Sequence, residues 1–204
     1  MNNILYKILR PLIVFFTKVF LHPKFIGLEN IPMNSNYILA GNHTNNLDCF
    51  LLITASKKDV HFLAKYELFK GLKGILFGNL GLIPVDRKNH TTKAFDKSLE
   101  YLNDNKVIGI FPEGTYPKNG EKLLDFKTGV VKMSKMSNTL IIPFIIKGKY
   151  RLFSNTLSIE FLKPYKVNSE DYDKEIIKFR ELILNSLEDW LCLYLIFLEG
   201  KKLN

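Results

Sequence analysis

The 204-residue chain is poor in cysteine, with only Cys49 and Cys192, which lie far apart in the sequence. Small secreted domains that rely on disulfides carry several cysteine pairs, so the sequence argues against a disulfide scaffold and indicates a reducing compartment. It also lacks a run of about 20 uncharged apolar residues, and we therefore expect no conventional transmembrane helix. No small-residue cleavage site follows the N-terminal apolar stretch, so we expect no secretory signal there.

Arginine is also scarce, since only 4 of the 29 basic residues are arginines. Surfaces that bind nucleic acid typically combine exposed aromatic residues with arginine, whereas most aromatic residues here lie inside apolar runs. We therefore expect no nucleic-acid partner. A non-catalytic protein that binds lipid or nucleic acid through its positive charge remains a remote alternative.

Positive charge is abundant but unevenly distributed. The net charge is +9, and residues 1–159 carry 22 Lys and Arg against 11 Asp and Glu, whereas residues 160–189 carry 5 against 8. This imbalance indicates an acidic partner for the first three-quarters of the chain. Anionic lipid, a phosphorylated substrate, an acidic carrier protein and nucleic acid all fit the charge alone.

Residues 1–23 are predicted to form a separate helical segment that associates with a membrane. At about 100° per residue, Lys7, Arg10 and Lys18 fall within one sector about 80° wide, and nearly every other residue is apolar. A basic stripe on an otherwise apolar helix is typical of a segment that lies in a bilayer interface, although a core-packing helix is the alternative. Pro11 is expected to kink this helix or to start a second one.

Residues 24–204 are predicted to form one α/β domain with a mostly parallel central sheet flanked by helices. Short β-branched or aromatic runs alternate with stretches of helical periodicity, which is the pattern of such a domain. The predicted strands are Tyr37–Ala40, Val60–Leu63, Leu82–Val85, Val107–Phe111, Leu140–Ile146 and Leu157–Phe161. The predicted helices are Leu47–Ala55, Thr92–Leu102, Thr128–Met136 and a closing helix over 173–198.

His43 and Asp48 follow the predicted strand YILAG, in the sequence NHTNNLD. Open α/β sheets place their sites beyond the carboxyl ends of strands, so this histidine is well placed for chemistry. On a regular helix the two side chains would point about 140° apart. They can meet only if His43 lies on the turn before the helix and Asp48 on its first turn. An Asp–His hydrogen bond would then fix the imidazole tautomer and stabilise the imidazolium.

Three further motifs follow in the order GLIPVDR, FPEGT and LIIPFII. Arg87 ends the first motif and offers a planar fork suited to phosphate. Glu113, Gly114 and Thr115 belong to a turn with exposed backbone donors and a hydroxyl group. Pro143 interrupts the third motif, which predicts an edge strand or a bulge.

HTNNLD and these three motifs together resemble the four successive motifs of the phospholipid/glycerol acyltransferase family, in particular the bacterial 1-acyl-sn-glycerol-3-phosphate acyltransferases. The resemblance covers roughly residues 24–165, and FLAK with Glu67-Leu68 resembles the family's stretch between its first and second motifs.

The resemblance implies that His43 is a general base and that Asp48 orients it. General-base assistance is typically worth about 10²–10⁴-fold. Transfer is then direct, without an acyl-enzyme, so Cys49 is predicted to be a small buried residue rather than a nucleophile. No metal and no cofactor are implied.

The second and third family motifs bind the glycerol phosphate. The resemblance therefore assigns Arg87 to the phosphate, with Glu113, Gly114 and Thr115 lining the pocket. Lys65 is a second candidate for the phosphate. The fourth motif is associated with the acyl-donor side and with structure, and Pro143 is given no chemical role.

The chain departs from the family after FPEGT, where many members have arginine and this chain has Tyr116 and Pro117. Lys118 and Lys127 are possible substitutes for that arginine. The implied acceptor is the membrane lipid 1-acylglycerol 3-phosphate, acylated at the sn-2 hydroxyl. Glycerol 3-phosphate and another lyso-lipid are the alternatives. The donor is a thioester of either acyl carrier protein or coenzyme A, and we expect a peripheral protein on the cytoplasmic face of the membrane.

Overall fold

Short β-branched runs supply the strands of a single seven-stranded sheet in the computed structural model, which describes residues 4–86, 92–117 and 121–200. The strands are β1 (Lys24–Ile26), β2 (Tyr37–Gly41), β3 (Val60–Lys65), β4 (Ile83–Val85), β5 (Val107–Ile110), β6 (Ile141–Lys147) and β7 (Ser158–Phe161). The helices are α1 (Ile4–Phe16), α2 (Asp48–Ala55), α3 (Leu72–Asn79), α4 (Lys93–Asn103), α5 (Gly129–Ser137) and α6 (Tyr172–Gly200).

The strand order is β1-β7-β6-β2-β5-β3-β4, and every pair is parallel except β6 with β7. Parallel strands that follow each other in sequence need crossover connections, and α2, α3, α4 and α5 lie in the four connections from β2 to β6. The predicted α/β class with a mostly parallel sheet is therefore confirmed. Each predicted strand and helix is present, with its ends shifted by one or two residues.

The central strands are buried on both faces. Ile38 and Ile141 pack into one cluster with residues of α4, α5 and α6, whereas Leu39 and Ile142 pack into a second cluster with residues of α2. This burial explains why β2 and β6 are continuous apolar runs rather than alternating ones. It also leaves the carboxyl ends of the strands as a place where polar side chains can gather.

The N-terminal helix lies against the α/β body. The Tyr6 ring is buried, and its hydroxyl accepts a hydrogen bond of 3.0 Å from the Val60 N–H. Arg10, one of the three residues of the predicted basic stripe, donates to the carbonyl oxygens of Ser56 and Lys57 and so binds the α/β body. The helix continues through Pro11, and a π-helical turn over Thr17–Leu21 follows it. Of the two outcomes expected at Pro11, the start of a second helix is therefore not found.

No helix in residues 4–86, 92–117 and 121–200 combines the length and apolarity that crossing a membrane requires.

Pro143 lies in β6, between β2 and β7, so the expectation of an edge strand was wrong. The expected bulge is not in β6 itself: Phe144 pairs with Phe161 and Ile141 with Tyr165, so the extra residue lies in the partner segment, where residues 162–164 stand opposite Ile142 and Pro143. The Ile141 N–H donates to the Tyr165 carbonyl, on the β7 side of β6. Because backbone directions repeat every two residues along a strand, the nitrogen of Pro143 faces the same side. The missing N–H of proline is therefore placed where the ladder is already interrupted.

Two elements were not predicted. Strand β1 has only three residues, and helix α3 lies in a glycine-containing stretch with weak helical periodicity. Neither carries a pattern long enough to be recognised without the neighbouring strand or helix that it contacts.

Candidate active site

The carboxyl ends of β2, β5 and β3 meet at one edge of the sheet. Ala40 of β2 pairs with Ile110 of β5, and Phe62 of β3 pairs with Gly109 of β5. Residues that follow these strands therefore emerge side by side, which places His43, Glu113 and Lys65 along the same edge.

His43 lies on the turn that follows β2, and Asp48 is the first residue of α2. The His43 Nδ1 is 2.8 Å from the Asp48 Oδ2, as the sequence argument required. The Asp48 side chain is fully buried, whereas that of His43 is 17% exposed. Because Nδ1 faces the carboxylate, the hydrogen-bond pattern assigns the proton to Nδ1 and leaves Nε2 as the acceptor. Within the described residues no protein group bonds to Nε2.

The Asp48 carboxylate receives five hydrogen bonds. Its Oδ2 accepts from the backbone N–H groups of Thr44 (2.6 Å) and Asn45 (2.9 Å) as well as from His43. Its Oδ1 accepts from the Thr44 hydroxyl at 2.9 Å and from the Tyr150 hydroxyl. A buried carboxylate is stable only with such compensation, so the turn is shaped around the charge of Asp48.

Two aromatic rings hold the imidazole of His43. Phe111 stacks on it with ring centroids 4.0 Å apart and planes 15° from parallel. Tyr116 meets it edge-on at 5.4 Å. Tyr116, which stands where many family members have arginine, therefore packs against the predicted base.

Glu113 connects the turn after β5 to two other segments. Its Oε1 accepts from the His43 backbone N–H and its Oε2 from the Leu124 backbone N–H, both at 2.7 Å. Burial raises the pKa of this carboxyl, and the two backbone bonds oppose that shift. Both oxygens are used within the protein, so Glu113 braces the His43 turn. Its predicted place in the acceptor pocket stays a prediction.

The remaining predicted acceptor residues are less constrained. Gly114 has φ +71°, a left-handed conformation that favours glycine and lets the chain turn after Glu113. Thr115, Lys65 and Lys127 are exposed to solvent. Lys65 pairs with Val85 at the end of β4, two residues before Arg87. Arg87 and Lys118 lie outside the described residues, so their roles stay predictions.

Two residues at this edge were not predicted. The Asn42 side chain accepts from the Ile146 N–H at 2.7 Å and donates to the Ile146 carbonyl at 2.9 Å, which fixes the turn before His43 to β6. Tyr150 comes from the connection between β6 and β7. Both partners lie more than 100 residues away in sequence. Only the preference of asparagine for turns at strand ends could have drawn attention to Asn42.

Cys49 is not equipped to act as a nucleophile. Burial, followed by the negative charge of Asp48, raises the pKa of its thiol to about 12. The thiol also donates weakly to the Asn46 carbonyl at 3.4 Å. A nucleophilic cysteine needs the thiolate, so these surroundings argue against a nucleophile, and the residue is half-buried where the prediction had it buried.

Comparison with known proteins finds a matching family and similar proteins in other organisms. The family described as Acyltransferase matches residues 22–147, which contain the His43 turn, the Glu113 turn and β6. The chain is 32% identical over 176 residues to a 1-acyl-sn-glycerol-3-phosphate acyltransferase of Borreliella burgdorferi, covering 79% of this chain and 70% of that protein. It is 28% identical over 127 residues to the Bacillus subtilis protein of the same name, covering 61% of this chain and 62% of that protein.

The fold also has a solved counterpart. The crystal structure of the 1-acyl-sn-glycerophosphate (LPA) acyltransferase PlsC from Thermotoga maritima superposes with a TM-score of 0.73 at 22% identity, covering 91% of this chain and 80% of that one. At this identity the likeness concerns the fold. The family match and the Borreliella relative go further: this chain belongs to the acyltransferase family and is an acyl-transferring enzyme.

Proposed function

We propose that the chain transfers a fatty acyl group from a thioester to the sn-2 hydroxyl of 1-acylglycerol 3-phosphate, giving phosphatidic acid for phospholipid synthesis. The observation that carries the proposal is the hydrogen bond between His43 Nδ1 and the buried Asp48 carboxylate, which leaves Nε2 available to a hydroxyl group. The names of the Borreliella and Bacillus relatives support this choice of acceptor.

In the proposed reaction, Nε2 of His43 removes the proton from the acceptor hydroxyl as its oxygen attacks the thioester carbonyl carbon. Asp48 stabilises the imidazolium through Nδ1. The carbon–sulfur bond of the tetrahedral intermediate then breaks, and the leaving thiolate takes the proton back from Nε2. An ester and a free thiol result, and His43 returns to its starting state.

The acceptor phosphate is proposed to bind beside the ends of β3 and β4. Lys65 is exposed there, and Arg87 follows β4 by two residues. Thr115 and the turn at Gly114 border the same edge. Tyr116, at the position where the resemblance leads us to expect arginine, packs on His43 and brings no positive charge to the phosphate. Glycerol 3-phosphate and a lyso-lipid with another headgroup are the alternatives, and the donor is acyl carrier protein or coenzyme A thioester.

One labelled acyl thioester offered to a panel of acceptors tests this proposal. We expect the labelled chain to appear on 1-acylglycerol 3-phosphate in preference to glycerol 3-phosphate and to lyso-lipids with larger headgroups. Offering the donor in turn as the carrier-protein and coenzyme A thioesters identifies the donor. Preference for another acceptor would overturn the assignment, and no transfer to any acceptor would overturn the reaction.

We further propose that the protein lies on the membrane surface through α1. Ile4, Ile8, Leu12 and Phe15 are all at least 58% exposed and, at about 100° per residue, fall within an arc of about 80°. Lys7 on α1 and Lys18 on the π-helical turn that follows it are exposed and can reach anionic headgroups. An exposed apolar stripe beside basic residues is the pattern of a helix lying in a bilayer interface.

A loop continues this apolar surface. In the connection between β6 and β7, Leu152 is 60% and Phe153 70% exposed, with the basic residues Lys149 and Arg151 beside them. The Phe153 ring lies 5.5 Å from that of Phe20, at the end of the N-terminal element. The α1 stripe and this loop tip thus form one surface.

Vesicle binding by point variants tests the surface proposal without removing buried residues of α1. Burying one large aliphatic side chain contributes about 1.5–3 kcal/mol, so Ile8→Glu with Leu12→Glu is expected to lower partitioning onto anionic vesicles at least about tenfold. Ile177→Glu is the matched control, because Ile177 is also 55% exposed but lies on α6. Equal binding by both variants would exclude the α1 surface.

A further inference from the structure

Tyr150 lies just beyond β6, in the connection that leads to β7. Its hydroxyl donates to the Asp48 Oδ1, across 102 residues of sequence. Its ring packs against the apolar cluster that contains Phe144 and Leu51. Of the donors to Asp48 found in the described ranges, His43, Thr44 and Asn45 belong to one turn, and Tyr150 comes from another element.

We propose that Tyr150 is a positioning residue that fixes the plane of the Asp48 carboxylate, so that Oδ2 is presented to Nδ1 of His43. The inference rests on the proposed role of His43 as the base. A carboxylate held only by its own turn can rotate with that turn. A donor fixed to the sheet side of the site prevents this rotation, because Oδ1 is then held between Tyr150 and Thr44.

The backbone of the connection that carries Tyr150 is constrained at two points. Gly148 has φ +91°, and a Cβ there would lie 2.0 Å from the Thr156 carbonyl oxygen, so the chain can close tightly only with glycine. Further along, the Phe153 N–H donates to the Phe20 carbonyl at 2.6 Å. Phe153 adopts φ +57°, which is costly for a bulky aromatic residue and needs such support. Tyr150 is therefore presented from a fixed backbone.

The Tyr150 phenol stays protonated as a donor. Burial, and then the negative charge of Asp48, raise its pKa far above the ordinary value. Removing its hydroxyl takes one hydrogen-bond donor from the Asp48 carboxylate. The negative charge is then less stabilised by other donors, so it should stabilise the imidazolium of His43 more strongly. The acid side of the pH–rate profile should therefore move to higher pH.

Tyr150→Phe tests the inference, with Tyr165→Phe as its matched control. The Tyr165 hydroxyl also donates to a carboxylate, Glu175 Oε2 at 2.9 Å, but on α6 rather than at the site. We expect Tyr150→Phe to lower kcat about tenfold with little change in KM for either substrate. Its pH–rate profile should move to higher pH, whereas Tyr165→Phe should leave kcat and profile unchanged.

Wild-type kcat and pH profile in Tyr150→Phe would overturn the inference. So would a loss of kcat with an unmoved profile, since that is the signature of a merely structural role. If Tyr150→Phe does not fold, a fluorinated tyrosine at position 150 keeps the ring and strengthens the donor. It should move the profile to lower pH, and an unmoved profile would overturn the inference. Assaying His43→Ala alongside separates the two proposals, because an active His43→Ala enzyme contradicts the base itself.

Discussion

The two sides of the site are built differently. On the base side, His43 and Asp48 are held by hydrogen bonds within the turn, by the bond that the His43 N–H donates to Glu113 and by the bond that Tyr150 donates to Asp48. On the proposed acceptor side, Lys65 and Thr115 are exposed to solvent.

The difference follows from what each side must do. A general base works best when its tautomer and direction are fixed before the substrate arrives. A headgroup that is delivered from a membrane must instead be able to enter and leave. Substitutions on the base side should therefore lower kcat or stability, and substitutions on the acceptor side should raise KM.

The largest effect is expected from Asp48→Asn. The amide removes the charge that stabilises the imidazolium and turns an N–H₂ group toward donors, so kcat should fall by about 10²–10⁴-fold. Asp96→Asn is a matched control, because Asp96 likewise accepts from a threonine hydroxyl four residues earlier, at the start of α4. Comparable activity in the two variants would show that the dyad is not used.

A smaller effect is expected from Glu113→Gln. One amide oxygen can serve only one of the two backbone N–H groups, and an unsatisfied buried donor costs about 1–3 kcal/mol. The free energy of unfolding should fall by this amount in denaturant titrations. Glu121→Gln is the control, because Glu121 is exposed and lies in the segment that Leu124 connects to Glu113. This variant should leave the free energy of unfolding unchanged. Equal stabilities would mean that Glu113 does not brace the His43 turn.

The stability difference should also depend on pH. Because burial raises the pKa of Glu113, the folded protein binds a proton there more tightly than the unfolded chain does. Wild-type stability relative to Glu113→Gln should thus increase as pH falls from the raised pKa toward the ordinary glutamate value. A difference that shrinks over this range would contradict the direction of the shift.

The smallest effect is expected from Lys65→Met on the acceptor side. Loss of one exposed charge should raise KM for a phosphorylated acceptor about threefold to tenfold and leave kcat within about twofold. Lys57→Met provides the comparison, since Lys57 is exposed before the opposite end of β3. A fall in kcat without a change in KM would assign Lys65 to the base side and contradict the proposed difference between the two sides.

The sequence was sufficient for most of the fold because the central strands are buried on both faces. Their β-branched runs, such as Ile141–Lys147, are distinct from the intervening helical patterns. Strand β1 escaped notice because three residues with one partner strand leave no pattern. Pro143 was misleading, since local rules cannot show that an extra residue in the neighbouring segment lets proline enter an internal strand.

Contacts in the site between residues close in sequence could be predicted, whereas contacts between distant segments could not. His43 and Asp48 are five residues apart, so the geometry of strand, turn and helix showed how they can meet, and the family resemblance supplied their roles. Tyr150 and the Asn42–Ile146 bonds join segments more than 100 residues apart, and only the folded sheet brings them together. The packing of Tyr116 on His43 likewise depends on how the turn after β5 folds back.

The pH dependence of kcat/KM for acyl transfer to 1-acylglycerol 3-phosphate, measured for the wild type and His43→Ala, tests the central claim most directly. The wild type should lose activity at low pH, because a general base must be unprotonated to accept the hydroxyl proton. His43→Ala should unfold at an unchanged temperature yet be slower by about 10²–10⁴-fold and lack this dependence. A folded His43→Ala enzyme with near-wild-type turnover and the same acid limb would contradict the account.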